Sequence, residues 1–159
     1  MAEGMIQFLL SDNENAISLR KRHIFKIIPM MNPDGVIIGN YRCNYAGMDL
    51  NRKWDKTSAV STPELQALHQ VLKKIREESL QVSCYLDLHG HFNSVGIFGY
   101  SREPDGFFEL LHCNSRYFNF GSCKFGVRKS KKSTGRVVNQ GMFGIERSYC
   151  IESSFYCWA

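Results

Sequence analysis

Apolar positions along the chain switch between helical and strand-like spacing, and that switching predicts the elements. Residues 3–10 carry helical apolar spacing and run into the polar stretch Ser11-Asp12-Asn13-Glu14-Asn15. A short helical segment with Ile17 and Leu19 follows and ends at the basic cluster Arg20 to Arg22. The β-branched and aromatic run His23-Ile24-Phe25-Lys26-Ile27-Ile28-Pro29 predicts a buried strand. Asn32-Pro33-Asp34-Gly35 predicts a turn, and residues 36–55, with glycines and few periodic apolar positions, predict mostly loop. Ser61-Thr62-Pro63-Glu64 supplies a cap, an early proline and an acidic first turn. Leu65, Leu68, Val71, Leu72 and Ile75 then follow helical spacing, so a helix is expected over 63–78. Val82 to Leu88 and Val95 to Tyr100 predict strands, 107–118 a helix, and 123–128 and 145–151 two further strands. Strands alternating with helices give an α/β fold class.

With 159 residues, 43% of them hydrophobic, the chain fits one domain with a real core and is unlike a disordered segment. The longest apolar runs, such as Ile6 to Leu10 with a glutamine inside, are far below the roughly 18 residues of a membrane span. Met1-Ala2-Glu3-Gly4 shows no basic stretch leading into an apolar one, so no secretory signal is expected. There is no internal repeat or low-complexity tract. Cysteines 43, 84, 113, 123, 150 and 157 form no C-x-x-C pair, which points to reduced, mostly buried thiols and a cytoplasmic location.

The net charge is +5, with a basic run of Lys124, Arg128, Lys129, Lys131, Lys132 and Arg136. Such a run is either a solvated face or an attractor of an acidic partner. No stacking aromatics alternate with it, which argues against nucleic acid.

Three short constellations carry chemistry. In Tyr85-Leu86-Asp87-Leu88-His89-Gly90-His91, His89 sits where a buried strand meets a glycine. There it is either a metal ligand or a structural histidine hydrogen-bonded at a strand end. His91 shares its face if the strand continues through Gly90. In Asp49-Leu50-Asn51-Arg52-Lys53-Trp54, the Asn51–Arg52 pair either grips a carboxylate or is a surface arginine beside a locally capping amide. Arg42 in Asn40-Tyr41-Arg42-Cys43 is equally open. In Tyr149-Cys150-Ile151-Glu152-Ser153-Ser154, Glu152 ends an apolar strand, as a general base raised by burial or as an exposed acid.

Their order and wording together resemble one family. The blocks are Phe25 to Val36, Gly39 to Cys43, Asp49 to Trp54, Asp87 to His91, Lys132 to Val138 and Gly144 to Ser153. In this order they closely resemble the cytosolic carboxypeptidases, zinc enzymes similar in fold to pancreatic-type carboxypeptidases. Many of these remove glutamates from the tails of tubulin and other proteins. The resemblance implies an α/β fold with a mixed sheet flanked by helices, of which this chain is the central portion, a partial catalytic domain over 1–159. It also implies roles: His89 as the late zinc ligand, Asn51 and Arg52 as the grip on the substrate's C-terminal carboxylate, and Arg42 as the polariser of the scissile carbonyl. Glu152 matches the general base, and Arg136 lies where a specificity residue for a glutamate side chain is expected. Implied partners are acidic C-terminal tails, possibly of tubulin.

The sequence departs from that family at the metal. Three residues after His23, His69, His89, His91 and His112 stand Lys26, Leu72, Phe92, Ser94 and Ser115, so the family's His-x-x-Glu pair is absent. One zinc ligand is therefore expected where a catalytic site ordinarily has three. The chain also stops seven residues after Glu152, its Phe155-Tyr156-Cys157-Trp158-Ala159 departs from the family's glycine-containing continuation, and Phe92-Asn93-Ser94-Val95 replaces a more basic loop. The expectations are thus a truncated zinc metallocarboxypeptidase, or an inactive short form or pseudoenzyme that keeps its hold on acidic tails.

Overall fold

A computed structural model describes residues 1–92 and 94–155 of the protein. Asn93, Cys157 and the rest of the C-terminal departure, Tyr156 to Ala159, lie outside the described residues. The chain divides into two compact units, Met1–Met31 and Asn32–Ala159.

The first unit holds helices α1 (Ala2–Leu10) and α2 (Glu14–Arg22), both as expected. Asn13 caps α2 by accepting from the Asn15 amide at 3.0 Å. The α2 guanidinium of Arg20 reaches back to the carbonyls of Leu9 and Ser11, satisfying groups that the end of α1 leaves free. The expected strand at 23–29 does not form. Its residues are exposed, Ile24 to 78%. Strand composition makes a segment able to pair, but a strand exists only where a neighbour offers its own ladder, and none pairs here among the described residues.

In the second unit, Asn32-Pro33-Asp34-Gly35 opens a helix, α3 (Pro33–Ile38), rather than a turn. The Asn32 side chain accepts from the Gly35 amide at 3.0 Å, the proline occupies the first helical turn, and Gly39 ends the helix in the left-handed conformation (φ 86°). The turn-forming residues were helix-capping residues. The loop expected over 36–55 is otherwise irregular apart from a 3₁₀ turn at Leu50–Arg52. Helix α4 (Pro63–Glu77) follows as expected, burying Leu65, Leu68, His69 and Leu72 along one face.

Strands β1 (Tyr85–His91), β2 (Ile97–Ser101), β3 (Lys124–Phe125) and β4 (Ser148–Ser154) form one mixed sheet in the order β1-β4-β2-β3. β1 runs parallel to β4, β4 antiparallel to β2, and β2 parallel to β3. Helix α5 (Phe107–Asn114) ends four residues before its expected limit, and the expected 123–128 strand shrinks to two residues. The pattern did not announce α6 (Gly135–Phe143): two glycines and two valines make it a poor helix on propensity, and packing against β1 and β4 stabilises it instead.

Phe98, Phe108, Phe118, Cys123, Tyr149 and Ile151 form the buried cluster, with Leu86, Leu88 and Leu111 packed on it. Phe107 stacks on Tyr149 at 4.3 Å, and the Tyr149 hydroxyl donates to the Asp105 carboxylate. Gly99 admits this packing, because a Cβ there would stand 2.3 Å from the Phe108 ring. Gly99→Ala should therefore destabilise the protein by about 1–3 kcal/mol, as overpacked cores do, read as a lower urea midpoint at unchanged slope. An unchanged midpoint would mean α5 can slide away at no cost.

The thiols depart from expectation in one respect. No disulfide links those described, but only Cys123 and Cys150 are buried; Cys43 is partly covered, and Cys84 and Cys113 are exposed. Cys84 precedes the first paired residue of β1 and Cys113 lies near the end of α5, where apolar neighbours in sequence supply no cover in space.

Candidate active site

The site begins with the pairing of β1 and β4. Their parallel register sets Asp87 beside Cys150 and His89 beside Glu152. Side chains alternate along a strand, so all four stand on one face of the sheet. Because β1 continues through Gly90, His91 shares that face, and its ring meets Phe98 edge-on at 5.0 Å.

His89 is the focus of this face. Its Nε2 lies 2.9 Å from Asp87 Oδ1 and 3.2 Å from Asn51 Nδ2. One nitrogen cannot donate to a carboxylate and accept from an amide at once, so the two groups compete for it. Burial opposes a charged ring, but the hydrogen bond and charge of Asp87, with Glu152 and Asp49 beyond, outweigh it and hold the His89 pKa above its usual value. Burial pushes the Cys150 thiol well up, and the carboxylates of Asp87 and Glu152 push the same way. The Cys150 Sγ lies 3.7 Å from Glu152 Oε1.

Asn51 arrives from far along the chain, and local chemistry explains its position. Asp49 Oδ1 accepts from the Asn51 amide at 3.0 Å, capping the 3₁₀ turn. The Asn51 side chain then spans two elements, with Oδ1 accepting from the Gly135 amide at the start of α6 at 3.0 Å and Nδ2 facing His89. Arg52 Nη1 donates to the Asn51 carbonyl at 2.7 Å. The other carboxylate oxygen of Asp49 pairs with Arg42 at 3.1 Å, and this half-exposed pair raises the arginine's pKa. Such a pair is weak as a stabiliser, but it aims the guanidinium.

Arg136 approaches from the other side. It is buried, donates to the Gly126 carbonyl at 3.0 Å, and lies over the ring of Tyr100, which is in register with Cys150. Burial lowers its pKa, while Cys150 and Tyr100 oppose that shift. Lys131 completes the cationic rim: burial and then Arg52 lower its pKa, Glu152 and Cys150 oppose this, and Arg42 adds a smaller lowering.

The structure thus brings Asn51 into contact with His89 and sets Glu152 beside His89 in register, with Arg52 bonded to Asn51, Arg42 paired with Asp49 and Arg136 lying over Tyr100. Sequence reasoning missed Asp49, Asp87, Cys150 and Lys131. Asp87 and Cys150 each stand two positions before a residue already singled out, and period-two alternation on a strand could have found them. The groove of about 530 Å³ lined by Leu72, Ile75, Val82, Phe143 and Ile145 holds none of these groups.

Residues 1–117 match the zinc carboxypeptidase family. The chain belongs to that family. It is 41% identical over 166 residues to cytosolic carboxypeptidase 2 of Danio rerio, covering 98% of this chain and 23% of that protein. To cytosolic carboxypeptidase 2 of Homo sapiens it is 40% identical, over 96% of this chain and 18% of that protein. The chain therefore spans about a fifth of these relatives' lengths. Among solved structures, it superposes on the metallo-carboxypeptidase of Burkholderia cenocepacia with a TM-score of 0.81 at 25% identity, over 96% of this chain and 43% of that one. A metallo-carboxypeptidase of Pseudomonas aeruginosa, solved in complex with (2-guanidinoethylmercapto)succinic acid, matches over the same shares with a TM-score of 0.73 at 25% identity. The fold is thus the α/β metallocarboxypeptidase fold, of which this chain forms part, and the family's activity is hydrolytic. Among the described residues no helix is long and apolar enough to cross a membrane, and these relatives are named cytosolic.

The family name implies zinc, and the residues present are suited to such an ion. His89 offers an imidazole nitrogen on a half-polar sheet face, with carboxylate and thiol donors within a few ångströms.

Proposed function

We propose that this chain carries the substrate-gripping and proton-transferring part of a zinc-dependent metallocarboxypeptidase that removes C-terminal acidic residues, glutamate above all, from protein tails such as those of tubulin. The observation that carries this reading is the contact of Asn51 with His89 while Glu152 stands beside His89 in register, inside a rim of Arg42, Arg52, Lys131 and Arg136.

Each residue then has a chemical task. Arg52 presents a planar fork of donors to the terminal carboxylate, and Asn51 adds an amide donor once it releases His89. Arg42, aimed by Asp49, donates to the scissile carbonyl oxygen as negative charge develops there. Glu152 takes a proton from the attacking water and delivers it to the leaving amine. Bound zinc supplies Lewis acidity, lowering the pKa of water and polarising the carbonyl. Arg136 and Lys131 complement an acidic side chain at the terminal position. A second reading is a binding form that holds acidic tails through the same cationic residues without turnover, which the rim of Arg42, Arg52, Lys131 and Arg136 would also serve.

Calorimetric titration of the chain with peptides ending in glutamate, in lysine and in glutamate amide tests the recognition step. The free glutamate terminus should bind best, with affinity falling as salt rises. Equal affinities at low salt would remove the acidic-tail assignment. Turnover separates the two readings: chelator-sensitive glutamate release should appear when the chain is extended upstream by a family segment bearing His-x-x-Glu, and not from residues 1–159 alone. Silence in both forms favours the binding module.

A further inference from the structure

We propose that Tyr41 and Phe92 form an aromatic shelf at the mouth of the site, which takes a large apolar or aromatic side chain of the substrate one or two positions before its terminal residue. The inference deepens the reading above and rests on it in one respect: the peptide is held by its terminal carboxylate at Arg52, with its last amide carbonyl at Arg42.

Three observations carry it. The two rings meet edge to face, with centroids 6.0 Å apart and planes at 65°, yet Tyr41 is 76% and Phe92 48% exposed. Phe92 is not a loose surface ring. It stacks on His91 at 6.2 Å, and His91 meets the buried Phe98 edge-on at 5.0 Å, so the shelf stands on the core. At its other end the Arg42 guanidinium lies over Tyr41, 5.6 Å from the ring centroid, while Arg42 Nη1 pairs with Asp49 at 3.1 Å. One run of contacts therefore leads from the core, through two exposed rings, to the cation assigned above to the scissile carbonyl.

Isolated exposed apolar side chains are ordinary on a protein surface. A ring pair anchored on the core differs, because its open faces are already ordered and little freedom is lost when a third group docks. Position selects the occupant. An extended peptide advances about 3.3 Å per residue, so a chain with its last carbonyl at Arg42 reaches Tyr41 within one or two residues of its end. An aromatic or large aliphatic group placed there buries apolar surface and completes an aromatic cluster. A glutamate there gains no such burial, and Arg42 is already paired with Asp49. The shelf thus favours tails in which an apolar residue precedes the terminal glutamate over uniform glutamate runs.

Calorimetric titration of the unmodified 159-residue chain tests this with peptides of one length ending in glutamate. Phenylalanine, glutamate or glycine occupies each of the two preceding positions in turn, and every peptide is made with a free and an amidated terminus. Phenylalanine at one of the two positions should tighten binding roughly 10-fold over glycine. That ratio should hold as salt rises, while both affinities fall. Tyr41→Ala and Phe92→Ala should each bring the ratio toward one, and Tyr41→Phe should keep it, since the ring makes the contact. Equal binding of free and amidated termini would overturn the carboxylate grip and the shelf with it. A retained terminal preference with equal affinities for phenylalanine, glutamate and glycine would overturn the shelf alone, as would a phenylalanine preference that survives both alanine variants.

Discussion

Glu152→Gln, placed in the chain extended by a His-x-x-Glu segment, should reduce glutamate release by roughly 10²–10⁴-fold, the range that a positioned proton-transfer group contributes. Glutamine keeps the size of the side chain and β4 keeps its pairing with β1, so peptide affinity should stay as it was. What disappears is an oxygen able to take a proton from water. The register of His89 with Glu152 makes this a strong test, because the carboxylate is held on a strand in mid-sheet and not on a loop free to swing away. Quenched-flow measurement of glutamate release, alongside peptide affinity and circular dichroism, distinguishes chemistry from unfolding. Turnover preserved in the variant would assign the proton transfer to another group.

The second large effect belongs to Arg52. Hydrogen bonds to charged groups contribute about 1.5–3 kcal/mol each, and a guanidinium fork makes two of them to a carboxylate. Arg52→Ala should therefore lower kcat/KM for a peptide with a free glutamate terminus by roughly 10²–10⁴-fold. Arg52→Lys should recover little, because an ammonium cannot reproduce the planar fork. The control is a peptide amidated at its C-terminus: it lacks the carboxylate, so the substitution should cost it almost nothing further. If both peptides lose equally, Arg52 acts on the fold. Its hydrogen bond to the Asn51 carbonyl makes that outcome a real alternative, because Asn51 also holds the start of α6.

The unequal success of the sequence reading has physical causes. Helices α1, α2 and α4 were legible because their apolar spacing and capping residues are local, written within ten or fifteen residues. The run at 23–29 looked like a strand and is exposed and unpaired, because composition expresses a capacity that only a neighbour realises. Asn32-Pro33-Asp34-Gly35 fits a turn and a helix start equally well, and the Asn32 side chain choosing the Gly35 amide decides between them. Helix α6 escaped notice because its stability comes from the sheet beneath it.

The candidate site divides along the same line. Residue types and their order along the chain determined by themselves the family and the α/β class, and through the resemblance they named Arg42, Asn51, Arg52, His89, Arg136 and Glu152 as candidates. Only the tertiary structure decided that Asn51 turns to His89 across 38 positions, that Asp49 holds both the 3₁₀ turn and Arg42, and that Cys150 comes to rest beside Asp87 and His89. A sequence states which groups are available. The register between β1 and β4, set by hydrogen bonds between segments 63 residues apart at Asp87 and Cys150, decides which of them meet.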